Sequence, residues 1–215
     1  MRTRTFRDGL SGALAVAVAL GIAELVAGLT GAIAPVIAVG DLLIDNAPGW
    51  VTHLVIDALG TRDKPALILT VTLATLGAGA GIGIAQRSRP LAGQVGFTVL
   101  GALGAIAATV DTPASSTQAS LVAAFGPIIG VTLGWQALRL LLLAGTLDAS
   151  ATAEVQPMTR RLPGRRAFLG FAAAAAGASA TSFVAGRQIA GKSVDVDAQR
   201  QSIALPGGPQ ITPAG

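Results

Sequence analysis

The chain has 215 residues, 52% of them hydrophobic and only 12% charged, with 28 glycines and a mean hydropathy of +0.65. A soluble domain carries roughly 25% charged residues, so this composition excludes a globule clothed in charge and points to an all-α, polytopic helical membrane protein. The formal excess of +4 lies at the ends of apolar segments, which argues against a nucleic-acid-binding face; the lack of cysteine excludes disulfides and thiolate sites, and the lone His53 excludes a haem held by a His pair within one chain.

An apolar run of about 20 residues spans a bilayer core of roughly 30 Å as a helix. Five segments approach that length, in chain order 10–31, 65–85, 91–110, 121–143 and 167–186. Lys and Arg in short connections are retained in the cytoplasm. Arg2, Arg4 and Arg7 precede the first segment, Arg87 and Arg89 join the second to the third, and Arg160, Arg161, Arg165 and Arg166 join the fourth to the fifth. On the other side, Arg62 and Lys64 face Asp41, Asp45, Asp57 and Asp63, and residues 111–120 contain no base. The N-terminus is therefore expected in the cytoplasm and the C-terminus outside it.

The resulting organisation is a four-helix transmembrane region over 1–143, a cytoplasmic loop over 144–166, a fifth helix over 167–186 and a Pro/Gly-rich extracytoplasmic linker over 187–215. Within the first outer loop, Trp50, Val51, Leu54, Val55 and Leu59 recur at helical spacing opposite Thr52, His53 and Asp57. That pattern predicts a short amphipathic helix near 48–60, lying on the outer surface with Trp50 at headgroup level.

Small residues four apart leave a smooth strip on one helix face, along which two backbones approach closely in lipid. Gly77 with Gly81 and Gly79 with Gly83 form two overlapping pairs in the second segment, and Gly126, Gly130 and Gly134 form a ladder in the fourth. Packing among the spans is the first use expected of them, and homo-oligomerisation the second. The run GAGAGIGIA loosely imitates a dinucleotide-binding loop, but it lies inside an apolar span rather than at a strand-to-helix turn and is set aside.

Glu24 is the only acid well inside a segment, about 21 Å beyond Leu10 at 1.5 Å per residue, which places it in the outer third. An ionisable group there is a candidate for proton transfer or for pairing with a base, with headgroups or His53 within its reach. Arg139, near the inner end of the fourth segment, reads as an interfacial anchor with its stem in lipid. His53 is a candidate for metal binding or proton shuttling, although no further ligands accompany it.

The stretch RRLPGRRAFLGFAAAAAGASA, residues 160–180, has the form of a twin-arginine export signal, with Arg165, Arg166, Phe168 and Leu169 as its motif. At about 20 residues the fifth segment is long enough to remain as a span. Its Ala178–Ser179–Ala180 end equally suits cleavage, and the sequence leaves the two outcomes open.

Several stretches carry a family resemblance: ELVAGLTGAIAPVIAVGDLLIDNAPGWV from Glu24 to Val51, then ALGTRDKPALIL, then RRAFLG followed by a Pro-rich linker. In their order along nearly the whole chain, these resemble the N-terminal membrane region of actinobacterial molybdopterin-dependent oxidoreductases of the sulfite-oxidase-like type. The resemblance implies a plasma-membrane anchor for an extracytoplasmic catalytic domain in which a cysteine ligates molybdenum. It also implies the twin-arginine export machinery as a partner, beside the lipid bilayer, and raises membrane quinone as an electron partner. The chain stops at Gly215 without a cysteine, so no catalytic, cofactor-binding or metal-ligating residue of the family carries over, and molybdopterin is implied only for the missing domain. The alternative is a self-contained membrane protein, such as a small transporter or assembly subunit, working through Glu24, Arg139 and the outer loop.

Overall fold

In lipid no water is present to satisfy backbone N–H and C=O groups, and a chain so rich in Leu, Ala, Val and Gly meets that demand by closing them within helices. The computed structural model describes residues 2–46, 63–111, 117–150 and 164–192. Among them every regular element is a helix: α1 (Arg2–Thr30), α2 (Pro35–Asp45), α3 (Asp63–Ala85), α4 (Ala92–Asp111), α5 (Thr117–Ser150) and α6 (Gly164–Lys192). All except α2 are long and apolar enough to cross a membrane, which makes the chain a multi-pass membrane protein. The expected fifth segment ended at Gly186, whereas the apolar span of α6 runs from Phe168 to Gly191 and so includes Arg187.

Helix α2 is an element not anticipated, lying in the long connection between the first two spans and upstream of the helix expected near 48–60. Gly31 ends α1 at φ 70°, a conformation glycine adopts without strain, and the Ala32 N–H bonds back to the Ala27 carbonyl at 3.0 Å. The extended Ala34 then presents Pro35 to a new helix, where its fixed φ and missing N–H suit the first turn. At 11 residues, about 16 Å, α2 is too short to cross the bilayer. Ala38 packs instead against Ala107 and Ala108 near the end of α4 and Ala123 near the start of α5. The amphipathic helix expected near 48–60, with His53, lies outside the described residues.

Helix α1 is the centre of the bundle, packed against α3 and α5 by small residues four apart and against α6 by small residues seven apart. Toward α3, Gly79 meets Val16 and Gly12 while Gly83 meets Gly12 and Asp8, and toward α5, Ala15, Ala19 and Ala23 meet Gly134, Gly130 and Gly126 in turn. The numbers run in opposite directions in both pairings, so α3 and α5 are antiparallel to α1. Toward α6, Gly21 meets Ser179 and Gly28 meets Gly186, in parallel and seven residues apart. Four-residue strips allow the closest backbone approach, and a seven-residue repeat suits a shallow left-handed crossing.

Helix α4 packs mainly on α5 and α2. Its Phe97 joins Ala15, Val16 and Leu138 in the main core, with the Trp135 ring 6.2 Å away and tilted by 54°. At the face where α1 begins, Arg87 Nη1 donates to Asp8 Oδ2 at 2.9 Å, and the Gln86 side chain accepts the Gly93 N–H and donates to the Pro90 carbonyl. These bonds hold the short α3–α4 connection against the start of α1.

Candidate functional site

Glu24 stands on the α1 face that carries Gly21 and Gly28, and its residue is only 2% exposed. An isolated carboxylate is costly to bury, so its partners decide what it does. Oε2 lies 3.7 Å from Nε of Arg187 on α6, an ion pair rather than a hydrogen bond at that length. Oε1 accepts the Val36 N–H at 3.4 Å, in the first turn of α2, where the helix dipole favours negative charge. One carboxylate thus joins three helices at the end of the bundle where α1 finishes.

Glycine makes this meeting possible. A Cβ on Gly186 would run into the backbone carbonyl of Glu24 and lie 2.7 Å from the Leu25 nitrogen, so only glycine lets α6 come close enough to bring Arg187 beside Glu24. The guanidinium also stacks over the Phe183 ring, one turn earlier, at 5.0 Å from its centroid. Among the described residues, Arg187 Nε and Nη2 have no hydrogen-bond partner, leaving charge attraction and the aromatic face as the bonds that hold the group.

Two further contacts fasten α6. Near its start, Phe168 is 6% exposed and lies beneath the Arg7 guanidinium of α1 at 5.0 Å, while the neighbouring Leu169 is 56% exposed. Midway, the Ser179 hydroxyl donates to the Ala17 carbonyl. Helix α6 also contacts α5, while Gly170, Gly177 and Gly191 face open space. Arg165 and Arg166 fall in its first turn, but their side chains are outside the described residues.

The remaining sequence candidates separate. Gly79 and Gly83 abut α1, whereas Gly77 and Gly81 face open space, so within one chain only one of the two overlapping pairs packs. Gly126, Gly130 and Gly134 all lie against α1. Arg139 is exposed beside Gln136, and it stands 13 residues along α5 from Gly126 at the Glu24 end, about 20 Å at 1.5 Å per residue. The structure therefore does not bring Arg139 and Glu24 together. Glu24 is also enclosed rather than turned to headgroups, because α2 and α6 cover it.

Under α2, an apolar cavity of about 170 Å³ lies among α1, α3, α4 and α5, lined by Val16, Leu20, Val36, Thr75, Phe97 and Pro127. Among the described residues no group of His, Asp or Glu is placed to hold a metal ion. With no cysteine and one histidine in the chain, its residues do not fit the molybdenum centre that the resemblance implies, and no chemical step is routed through that group.

Arg187, Arg7 and the Val36 amide were not anticipated. Arg187 left a trace, because it is the only base in 167–191, and among the described residues Glu24 is the only buried acid. The Val36 amide depended on α2, whose apolar run is too short to stand out as a span. No protein-family model, curated protein or solved structure matches this chain, so its functional reading rests on its own residues.

Proposed function

We propose that this chain is a membrane anchor that holds the segment after α6 at the extracytoplasmic surface, and that its cargo is a molybdopterin-dependent oxidoreductase domain of the sulfite-oxidase-like type. The observation that carries the reading is the attachment of α6. A helix with the sequence of an export signal is joined to the central helix at both ends, by Arg7 on Phe168 and by Glu24 on Arg187. Such fastening suits a segment that must stay in place and bear a load, since an Ala/Gly-rich helix is a weak anchor by hydropathy alone. The cargo is inferred from the resemblance of the VGDLLID, GTRDKPALIL and RRAFL stretches.

On this reading the N-terminus is cytoplasmic, the C-terminus extracytoplasmic and the membrane the plasma membrane. The twin-arginine machinery carries the folded cargo across after reading Arg165, Arg166, Phe168 and Leu169. Membrane quinone is the electron partner that fits such an enzyme, and no described residue is assigned to it. Reporter fusions after Gly215 test the topology: activity is expected only outside the cytoplasm, with loss when Arg165 and Arg166 are both changed to Lys. Export that persists in the double variant would reduce the pair to topology anchors. The reading frame beyond codon 215 tests the cargo, because a stop codon with no molybdopterin domain encoded nearby removes it.

A further inference from the structure

Residues 165–180 contain the three parts of a cleavable export signal. After Arg165 and Arg166 come the apolar residues 167–177, within the 7–15 typical of such a core, and then Ala178–Ser179–Ala180 with small residues in the pattern a signal peptidase reads. Cleavage there would break the Ala180–Thr181 peptide bond. Water supplies hydroxyl to the Ala180 carbonyl carbon and a proton to the Thr181 nitrogen, and everything beyond the cut leaves the bundle.

The fold opposes this at the site itself. A protease acts on backbone drawn out of regular structure, so cleavage requires local opening first. Helix α6 runs unbroken from Gly164 to Lys192, with residues 178–180 near its middle. Ser179, the centre of the motif, donates its hydroxyl to the Ala17 carbonyl. Gly21 presses against the same residue so closely that a Cβ added there would lie 2.5 Å from the Ser179 carbonyl oxygen and 3.0 Å from its Cα. Beyond the motif, the Glu24–Arg187 pair holds the end of α6 that a peptidase on the outer face must pull away. Drawing residues 178–180 into a cleft thus requires breaking the Ser179 bond and separating the buried Glu24 from its cation.

We infer that Ala178–Ser179–Ala180 is a signal-peptidase site kept closed by docking of α6 on α1 through Gly21, Ala17 and Glu24, so that a signal-like segment is retained as a permanent span. The inference rests on the reading that the outer end of α6 is extracytoplasmic. It adds that retention is decided by packing against α1, in spite of a sequence that invites cleavage.

The test uses the full chain with a tag at each end, expressed in cells, with the side of the C-terminal tag read independently by a membrane-impermeant protease. The unaltered chain is expected intact, carrying both tags on one polypeptide. Gly21→Leu, which forces α6 off α1, and Glu24→Lys, which repels Arg187 without adding bulk at the crossing, should each lose the intact product to a C-terminal fragment beginning at Thr181. Adding Ala180→Leu to either variant should restore the intact product, and Gly177→Leu, at a position facing open space, should leave it unchanged. Cleavage of the unaltered chain at Thr181 would overturn the inference, and so would intact Gly21→Leu and Glu24→Lys chains whose tag is outside. Fragments that begin elsewhere, or that persist with Ala180→Leu, would show general degradation and overturn it too. A tag on the cytoplasmic side would refute the topology itself, and with it the inference.

Discussion

Substituting alanine for Gly79 and for Gly81 in turn separates packing from every other consequence of losing a glycine. Both sit in α3, two residues apart, so each change brings the same gain in helix propensity, about 1 kcal/mol. Their surroundings differ. A Cβ at Gly79 would lie 2.5 Å from Val16 Cγ2 and 2.8 Å from the Gly12 carbonyl oxygen, whereas at Gly81 it would meet nothing within 4 Å. The Gly12 carbonyl belongs to a helical backbone and cannot rotate away, so α3 must retreat from α1. Overpacking of this kind costs about 1–3 kcal/mol. Because the propensity gain cancels in the comparison, Gly79→Ala should be the less stable of the two by about 2 kcal/mol, a factor of roughly 30 in the unfolding equilibrium. Equilibrium unfolding in mixed micelles with increasing SDS would measure the difference. Equal stabilities, or Gly81→Ala the weaker, would refute the assignment of the Gly79 face to α1.

The clasp between α1 and α6 should respond asymmetrically. Arg187→Ala leaves a carboxylate that is 1% exposed without its cation, a loss of about 3 kcal/mol for a broken buried pair. Glu24→Ala leaves an arginine side chain that is 34% exposed and still stacked on Phe183, so the same titration should show a smaller loss, about 1 kcal/mol after the usual discount for exposed pairs. A greater cost for Glu24→Ala would contradict this reading. Arg87→Ala removes an ion pair whose arginine is 55% exposed, and should change stability by less than about 1 kcal/mol. A loss of several kcal/mol would mean that the Asp8 contact fixes the α3–α4 connection far more strongly than its exposure suggests.

What could be read in the sequence follows from how local each feature is. A span is a property of some twenty consecutive residues, so the apolar runs containing Val16, Val71, Phe97 and Leu138 were visible at once. Helix α2 was not, because PVIAVGDLLID is too short to be a span and becomes a helix where Ala38 can settle on Ala107, Ala108 and Ala123. Its local signal, Pro35 at the head of an apolar run, was present but weak. Glycine spacing showed that strips existed in α3, yet the Gly77–Gly81 and Gly79–Gly83 pairs are indistinguishable until the position of α1 is known. The partner of Glu24 posed the same difficulty. Arg187 is 163 residues away, and only the approach of Gly186 to the Glu24 backbone brings the two together.

The central place of α1 has a consequence for biogenesis. It leaves the ribosome before α2, α3, α5 and α6, each of which contacts it. Most later arrivals therefore find part of their docking surface already in the membrane, and the bundle can grow around a template instead of waiting for the whole chain. Helix α6 arrives when α2 has already set its Val36 amide on Glu24, so the carboxylate is held in place before Arg187 emerges to meet it.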